Sequence, residues 1–349
     1  MKKVFFALSA LLAFSFAAVA AEDEAAKPEY GISQTGFMSK PKVGAYIIGS
    51  YKYSDKDGAN GGPGFGCRLI RAYVDGSIFN DFNYRIQVQL NGTNPHVKDF
   101  YVEWARYKFF SVKMGQFKRA FTFENPMNPW DVGAGDFSFL VQKFAGMGDR
   151  LGEANMGGRD VGIQVQGDFL PVGQDKHNLF HYQLGVYNGQ GINLTDKDLR
   201  KDIIGTIQLQ PIKGLKLGVF GWKGNWINGD GVSLARERMS AGLSFDRKGW
   251  TLRSEWATAL GAEKEQSGAA DAFYVTLGVP VTDWFKVYGK WDEFRSGETA
   301  ATRHDMYSCI LNFRLHKNLN FQLEYRRHDD KTLAVPGFNE IWLETYIRF

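Results

Sequence analysis

Seven basic residues are the side chains of this sequence whose type and placement could do chemistry. Guanidinium groups bind oxyanions through paired hydrogen bonds, and ammonium groups attract them as point charges. Four of the residues lie close to the start of one long connecting segment, where a cluster of cations would act on the same anion. We predict that a narrow, anion-attracting site is lined by Arg85, Lys113, Lys118 and Arg119, together with Arg71, Lys143 and Arg150.

Other chemistry has weaker support. His177 and His181 lie four positions apart on or beside one predicted strand, about 13 Å apart at about 3.3 Å per residue, which is too far to share a metal ion. The tripeptide His328-Asp329-Asp330 could supply metal ligands, but it is also typical of a solvated loop tip. The glycine-rich residues 61–66 precede a predicted strand and open no helix, so we do not expect a phosphate-cradling loop. We predict no cofactor, no metal and no enzymatic activity. A hydrolase stays open as an alternative, because a catalytic triad is defined in space and not by sequence order.

The elements that must position the basic residues are β-strands. Residues 84–91 show the pattern most clearly: Tyr84 and Ile86 alternate with Arg85 and Gln87, and the alternation continues to Asn91. A period of two places all apolar side chains on one face and all polar ones on the other. In a membrane barrel, the apolar face contacts lipid and the polar face lines a watery bore.

Sixteen such segments can be counted, and their connections alternate between short and long. Short turns on one side and long polar loops on the other are typical of outer-membrane barrels. One turn, at 170–177, is longer than this rule expects. The chain therefore predicts an all-β protein, a 16-stranded antiparallel transmembrane barrel. The strands are predicted at 42–54, 66–79, 82–92, 98–107, 109–117, 158–169, 178–189, 201–211, 214–225, 236–247, 248–259, 269–280, 284–295, 303–315, 319–330 and 338–349.

The connection at 118–157 is forty residues long and is the third outer loop in this count. Its five phenylalanines, Trp130, Pro126 and Pro129 give it enough apolar surface to fold against another part of the protein. A 16-stranded barrel is wide enough to hold an aqueous channel. We predict that this third extracellular loop folds inward and constricts the bore.

Both ends of the chain indicate export to the bacterial outer membrane. Lys2 and Lys3, an apolar core and Ala18-Val19-Ala20 predict a signal peptide at 1–20, cleaved near Ala20 or Ala21. Residues 21–41 would form a short periplasmic lead-in, and 42–349 the barrel. The last strand ends on Phe349, an aromatic carboxyl terminus that resembles the insertion signal of outer-membrane barrels.

Composition limits the remaining classes. Removing Lys2 and Lys3 leaves 42 − 2 = 40 basic against 38 acidic residues, and such a nearly neutral chain argues against nucleic-acid binding. Beyond the signal there is no apolar run of eighteen residues, which excludes a helical membrane protein. A soluble secreted β protein would also fit the composition of 28 Phe, 15 Tyr, 9 Trp and 40 Gly. Cys67 and Cys309 fall four strands apart, so we expect no disulfide between them.

Several short pieces, in order, resemble the phosphate-selective porin O and P family. The pieces are Ala72-Tyr73-Val74-Asp75-Gly76, Tyr84-Arg85-Ile86-Gln87, Val97-Lys98-Asp99-Phe100-Tyr101-Val102-Glu103-Trp104, Gly115-Gln116-Phe117-Lys118-Arg119-Ala120-Phe121 with Glu124, Gly158-Arg159-Asp160-Val161-Gly162, and Tyr182-Gln183-Leu184-Gly185-Val186-Tyr187-Asn188-Gly189. The resemblance implies a homotrimeric outer-membrane porin whose third loop folds inward. In the best-known members of that family, anion preference depends on arginines in the bore and on a basic constriction.

The charges of this chain match that feature only in part. The third loop carries four basic residues (Lys118, Arg119, Lys143, Arg150) against five acidic ones (Glu124, Asp131, Asp136, Asp149, Glu153). The bore-facing phase of the strands carries ten basic residues (Arg71, Arg85, Lys113, Lys216, Arg253, Lys286, Lys290, Arg314, Arg326, Arg348) against six acidic ones (Asp75, Glu103, Glu255, Asp292, Glu324, Glu344).

Three functions stay open at this point. The first is passive diffusion of small hydrophilic solutes, with a lean toward anions such as phosphate. The second is a general, weakly selective porin in which the arginines only pair with neighbouring carboxylates, and the third is a barrel hydrolase. Under the first, we expect Arg119→Ala to lower anion selectivity.

Overall fold

The computed structural model describes residues 39–56, 63–92, 94–147, 150–151, 157–260 and 269–349. These residues form sixteen strands, one short helix and one 3-10 turn. The predicted signal peptide and most of the lead-in lie outside the described residues. The strands are β1 (Lys42–Ser54), β2 (Gly64–Ile78), β3 (Phe82–Gln89), β4 (His96–Tyr107), β5 (Phe110–Lys118), β6 (Arg159–Val172), β7 (His177–Tyr187), β8 (Asp202–Ile212), β9 (Leu215–Ile227), β10 (Ser233–Arg247), β11 (Trp250–Ala259), β12 (Ala270–Pro280), β13 (Phe285–Arg295), β14 (Arg303–His316), β15 (Leu319–Asp330) and β16 (Gly337–Arg348); the helix α1 is Phe139–Phe144, and the 3-10 turn is Ala300–Thr302.

The strands close into one barrel in which each pairs with its neighbours in the sequence. Every pairing is antiparallel, and β1 pairs with β16 through a register that sets Tyr46 opposite Arg348. Phe349 extends this closure, because its N–H donates to the carbonyl oxygen of Ala45 at 2.9 Å. The predicted antiparallel barrel of sixteen strands is confirmed.

The two ends of the barrel differ in the length of their connections. At one end, short turns such as residues 79–81 and 213–214 join the strands, and at the other end the connections are longer. The predicted long turn at 170–177 is wrong, because β6 extends to Val172 and β7 already begins at His177. The turn is only residues 173–176, so the alternation of short and long connections holds there as well.

The alternation of side chains places an apolar surface outside. In β3, Ile86 is 52% exposed whereas the next residue, Gln87, is 3% exposed because it points into the barrel. Val219 on β9 and Met239 on β10 are likewise exposed apolar residues of the outer face. Such a belt suits contact with lipid.

Two further features concern helices and cysteines. No helix among them is long and apolar enough to cross a membrane. Cys67 on β2 and Cys309 on β14 are free thiols exposed on the surface, as expected from their separation around the wall.

Candidate functional site

The described residues of the long loop (119–147, 150–151 and 157–158) lie inside the barrel. Its Phe121 packs edge-on against Trp222 of β9, with ring centroids 5.5 Å apart, and its Phe144 packs against Phe294 of β13 at 5.9 Å. Trp222 and Phe294 are buried side chains on the inner face of the wall. The loop therefore shares one hydrophobic cluster with inner-wall residues of β5, β7 to β9 and β11 to β14.

Polar contacts fix the loop to the same part of the wall. The Glu255 carboxylate on β11 accepts hydrogen bonds from the Phe123 backbone N–H at 2.8 Å and from the Tyr274 hydroxyl at 2.6 Å. Arg253 donates to the Val132 carbonyl oxygen at 2.8 Å. Asp292 accepts from the Phe139 N–H at 3.3 Å. These wall charges compensate backbone groups that the loop would otherwise bury without partners.

The loop is also closed at its own base. The Asn125 side-chain amide donates to the carbonyl oxygens of Arg119 at 3.0 Å and of Gly158 at 3.1 Å, joining the first and last loop residues. Gly158 has a φ of +64°, and a Cβ there would lie 2.0 Å from Asn125 Oδ1. Position 158 therefore requires glycine.

Helix α1 lies within this loop and is held at its start. Ser138 caps the helix, its hydroxyl accepting from the Val141 N–H at 3.4 Å. The Ser138 N–H in turn donates to Glu124 at 2.8 Å, and both of these side chains are fully buried. Glu124 is thus an internal brace of the loop and does not face open space.

The opposite side of the loop faces open space along β2 to β7. Two cavities lie there: an outer one of about 240 Å³ on the side of the long loops, and an inner one of about 180 Å³. Arg71, Lys118, Pro129 and Arg159 line both cavities, so the two cavities adjoin at these four residues. We call the two adjoining cavities the passage, and these four residues its waist.

Cations predominate among the charged residues that line the passage. Its charged lining comprises seven basic residues against Asp99 and Asp136; the basic ones are Arg68, Arg71, Arg85, Lys98, Lys113, Lys118 and Arg159. Asp75, Glu103 and Glu344 lie just behind the lining, 2.7 Å from Arg85, 3.5 Å from Lys113 and 3.0 Å from Arg68, respectively. Counting them as well leaves seven basic residues against five acidic ones.

The cations of the passage differ in how they are paired. Arg159 makes a paired contact with Asp99, at 2.7 and 2.9 Å. Arg71 is held by neutral groups, the Gln89 Oε1 at 3.0 Å and the Tyr46 hydroxyl at 2.9 Å, and its Nη2 donates to no described residue. Arg71 forms no ion pair within the described part of the chain. Because a guanidinium stays protonated at any physiological pH, its charge acts on the passage uncompensated.

Four of the seven predicted residues line the passage: Arg71, Arg85, Lys113 and Lys118. The other three do not line either cavity. Lys143 lies over the Phe294 ring at 5.7 Å, and Arg150 donates to the Leu260 carbonyl oxygen at 3.1 Å, so both face the far wall. Asp149 and Glu153 lie outside the described residues.

Arg119 is the clearest correction to the predicted site. Its side chain is fully buried, donates to Asp160 at 2.8 Å and lies over the Trp222 ring at 4.8 Å. The residue follows β5 directly, so it sits at the base of the loop, where the chain turns away from the passage. The expectation that Arg119→Ala lowers anion selectivity therefore does not fit this placement.

The sequence prediction did not include three of the lining cations, because the in–out alternation of strand side chains is interrupted at their positions. The register of β1 with β2 passes from Ile48–Leu69 to Gly49–Cys67, which leaves Arg68 in a bulge and directs it inward. A second irregularity, between β3 and β4, accompanies two consecutive buried residues, Lys98 and Asp99. Arg159 opens β6, where it and Asp160 are both buried. A bulge leaves no reliable signal in a period of two.

Comparison with known proteins defines the fold. No family model matches the chain, and no curated protein sequence does. Solved structures do: the anion-selective porin from Comamonas acidovorans superposes with a TM-score of 0.67 at 13% identity, covering 89% of this chain and 99% of that one. OmpF of Salmonella typhi in complex with daunomycin superposes with a TM-score of 0.63 at 11% identity, covering 89% of this chain and 98% of that one.

A third solved structure agrees with these two. The outer membrane channel DcaP of Acinetobacter baumannii gives a TM-score of 0.61 at 11% identity, covering 90% of this chain and 100% of that one. All three matches span nearly the whole barrel. The chain has the fold of the outer-membrane porins.

Proposed function

We propose that this protein is a diffusion channel of the bacterial outer membrane that favours small anions. The observation that carries the proposal is the lining of the passage, with its seven basic residues against two acidic ones. Charges that line a narrow opening in a low-dielectric wall raise the local concentration of counter-ions. The lipid-facing belt and the porin fold support the location, and the resemblance to the phosphate-selective porins supports a homotrimer.

The geometry gives a route for the solute. An anion enters the outer cavity past Arg68 and Lys98, crosses the waist between Arg71 and Arg159, and leaves through the inner cavity past Arg85. At each step, guanidinium N–H groups replace part of its hydration shell. No covalent change occurs, so the direction of net flow follows the electrochemical gradient of the anion.

Inorganic phosphate is one solute that suits this lining. The Nη2 of Arg71 is available for an oxyanion, and Arg71 and Arg159 line the same waist. Planar guanidinium groups donate two parallel hydrogen bonds to such oxygens. A weakly selective channel is the alternative, and it is favoured by the ion pairs of Arg85, Lys113 and Arg159 with carboxylates.

The sign of the reversal potential under a KCl gradient tests the proposal. Potassium and chloride ions diffuse at similar rates, so the potential reports charge selection by the purified protein in a planar bilayer. We expect a reversal potential displaced toward that of chloride. The displacement should shrink in concentrated salt, since the Debye length falls from about 10 Å at 0.1 M to about 3 Å at 1 M. A potential displaced toward that of potassium would contradict anion preference.

Phosphate is tested separately, by titrating it against the chloride current. Binding at the waist predicts a saturable decrease of that current. A current that phosphate leaves unchanged, with chloride still favoured over potassium, would leave an anion channel without a phosphate site.

A further inference from the structure

The two sides of the passage differ in chemistry. The wall side presents cations at the waist and in the inner cavity, as described above. The loop side of the inner cavity presents Pro126, Met127 and Pro129, with Phe117 and Ala120 beside them. A solute in the inner cavity therefore meets positive charge on one side and hydrocarbon on the other.

The polar groups of the loop are turned away from this cavity. Glu124 is buried against Ser138, and Asp131 does not line either cavity. Asn128 lines the inner cavity, but its side-chain oxygen accepts from the Trp130 N–H at 3.0 Å. Segment 126–129 thus offers mainly an apolar surface.

The neutral polar groups of the wall are largely occupied by one another. Gln166 Oε1 accepts from Gln164 at 2.6 Å and from Gln183 at 3.1 Å, and the Gln166 amide donates to Glu103 at 2.6 Å. Gln164 Oε1 accepts in turn from the Tyr187 hydroxyl at 2.7 Å. A solute rich in hydroxyl groups would have to break these bonds or keep its own hydration shell.

We propose that the passage prefers organic anions with an apolar body over hydroxyl-rich anions of equal charge. Small monocarboxylates with a hydrocarbon chain are the class that fits. The carboxylate would face Arg71, Arg85 or Arg159, and the chain would lie against Pro126, Met127 and Pro129. This inference rests on the proposed channel function and deepens it by naming the solute class.

Hexanoate and gluconate provide the test, because both are six-carbon monocarboxylates of charge −1 and only gluconate carries hydroxyl groups along its chain. Their permeabilities relative to chloride are obtained from bi-ionic reversal potentials of the wild-type protein. Each is then divided by the anion's mobility in free solution. We expect the corrected ratio of hexanoate to gluconate to exceed one. A corrected ratio of one or less would overturn the proposal.

Met127→Gln separates the apolar contribution from charge. It keeps the side-chain length and the backbone oxygen that accepts from Lys118. We expect it to lower the hexanoate-to-gluconate permeability ratio about threefold, because contact area with a hydrocarbon chain is lost. The chloride-to-potassium permeability ratio should stay unchanged. Pro126→Ser should also lower the hexanoate-to-gluconate ratio. Pro126 is exposed, so we expect the variant protein to fold. Ratios unchanged in both variants would overturn the proposal.

Two control variants complete the design. Met127→Leu keeps an apolar side chain and should keep the ratio. Arg85→Gln should lower the permeabilities of hexanoate, gluconate and chloride relative to potassium by the same factor. The hexanoate-to-gluconate ratio should therefore stay as in the wild type. A wild-type protein that selects potassium would instead refute the proposed function, which makes the two failures distinguishable.

Discussion

At the scale of single residues, two arginines show how environment decides the role of one side-chain type. Arg71 is held by neutral groups at the waist of the passage. Arg119 is fully buried and paired with Asp160. Both were predicted from the sequence as lining residues, Arg71 from its phase in a strand and Arg119 from its place at the start of the long loop. The loop has no alternation that would indicate the direction of the Arg119 side chain. We propose that the charge of Arg71 acts on solutes, whereas the ion pair of Arg119 stabilises the fold.

Arg71→Gln is expected to lower the chloride-to-potassium permeability ratio. One unit charge about 6 Å from an ion in water contributes about 0.7 kcal/mol, which corresponds to about a threefold change. Reversal potentials under a KCl gradient measure this permeability ratio. Lys216→Gln is the matched control, because it removes the same charge from β9, away from both cavities. An equal effect of the two variants would show that net charge matters and the waist does not.

Arg119→Ala is expected to destabilise the barrel and to leave the selectivity of folded channels unchanged. Removing one partner of a buried ion pair costs about 3–5 kcal/mol, and here Asp160 loses the contact with the Arg119 guanidinium. Urea unfolding in detergent, followed by tryptophan fluorescence, measures the free energy of unfolding. A variant of wild-type stability with altered selectivity would indicate that the Arg119 side chain lines the passage.

At the scale of elements, the long loop could be predicted to exist but its path could not. The length of 118–157 and its phenylalanines are visible in the sequence and indicate a segment that folds against the barrel. Its attachments join residues distant in sequence, such as Phe123 and Glu255, which are 132 positions apart. No local pattern encodes such a contact. The same holds for Lys98 and Arg159, which enter the passage where strand alternation is interrupted.

Glu255→Ala is expected to loosen the loop from the wall. The variant removes the acceptor for the Phe123 N–H and for the Tyr274 hydroxyl, so two buried donors lose their partner. Hydrogen exchange followed by mass spectrometry should show faster exchange of the backbone amides in 120–140. Glu293→Ala is the control, because its ion pairs are with Arg295 and Arg303 near the long-loop end. Equal exchange in both variants would contradict the attachment.

At the scale of the whole molecule, the sequence predicted most of what the structure shows. Alternation gave all sixteen strands, since a period of two repeats in every wall segment and each turn has its own polar signal. The two faces of the wall follow from the same pattern, as Ile86 and Gln87 illustrate. What alternation cannot give is the space left between wall and loop, because that depends on which side of the bore the loop occupies.

Met239→Arg is expected to destabilise the barrel in a bilayer. Met239 is 66% exposed near the middle of β10, and a charge on the lipid face near mid-membrane costs about 2–4 kcal/mol. The folded fraction in lipid vesicles, measured by the shift in electrophoretic mobility without boiling, reports this cost. Met239→Leu should fold like the wild type. Equal folding of both variants would argue that this face does not contact lipid.

The most direct test of the passage between loop and wall is chemical block of the current from a single engineered thiol. Met127→Cys is introduced after Cys67 and Cys309, both exposed, are replaced by serine. A negatively charged methanethiosulfonate reagent is then added while ion current is recorded in a planar bilayer. We expect modification to lower the current sharply and to reduce anion preference. Complete modification with an unchanged current would mean that ions cross the barrel elsewhere.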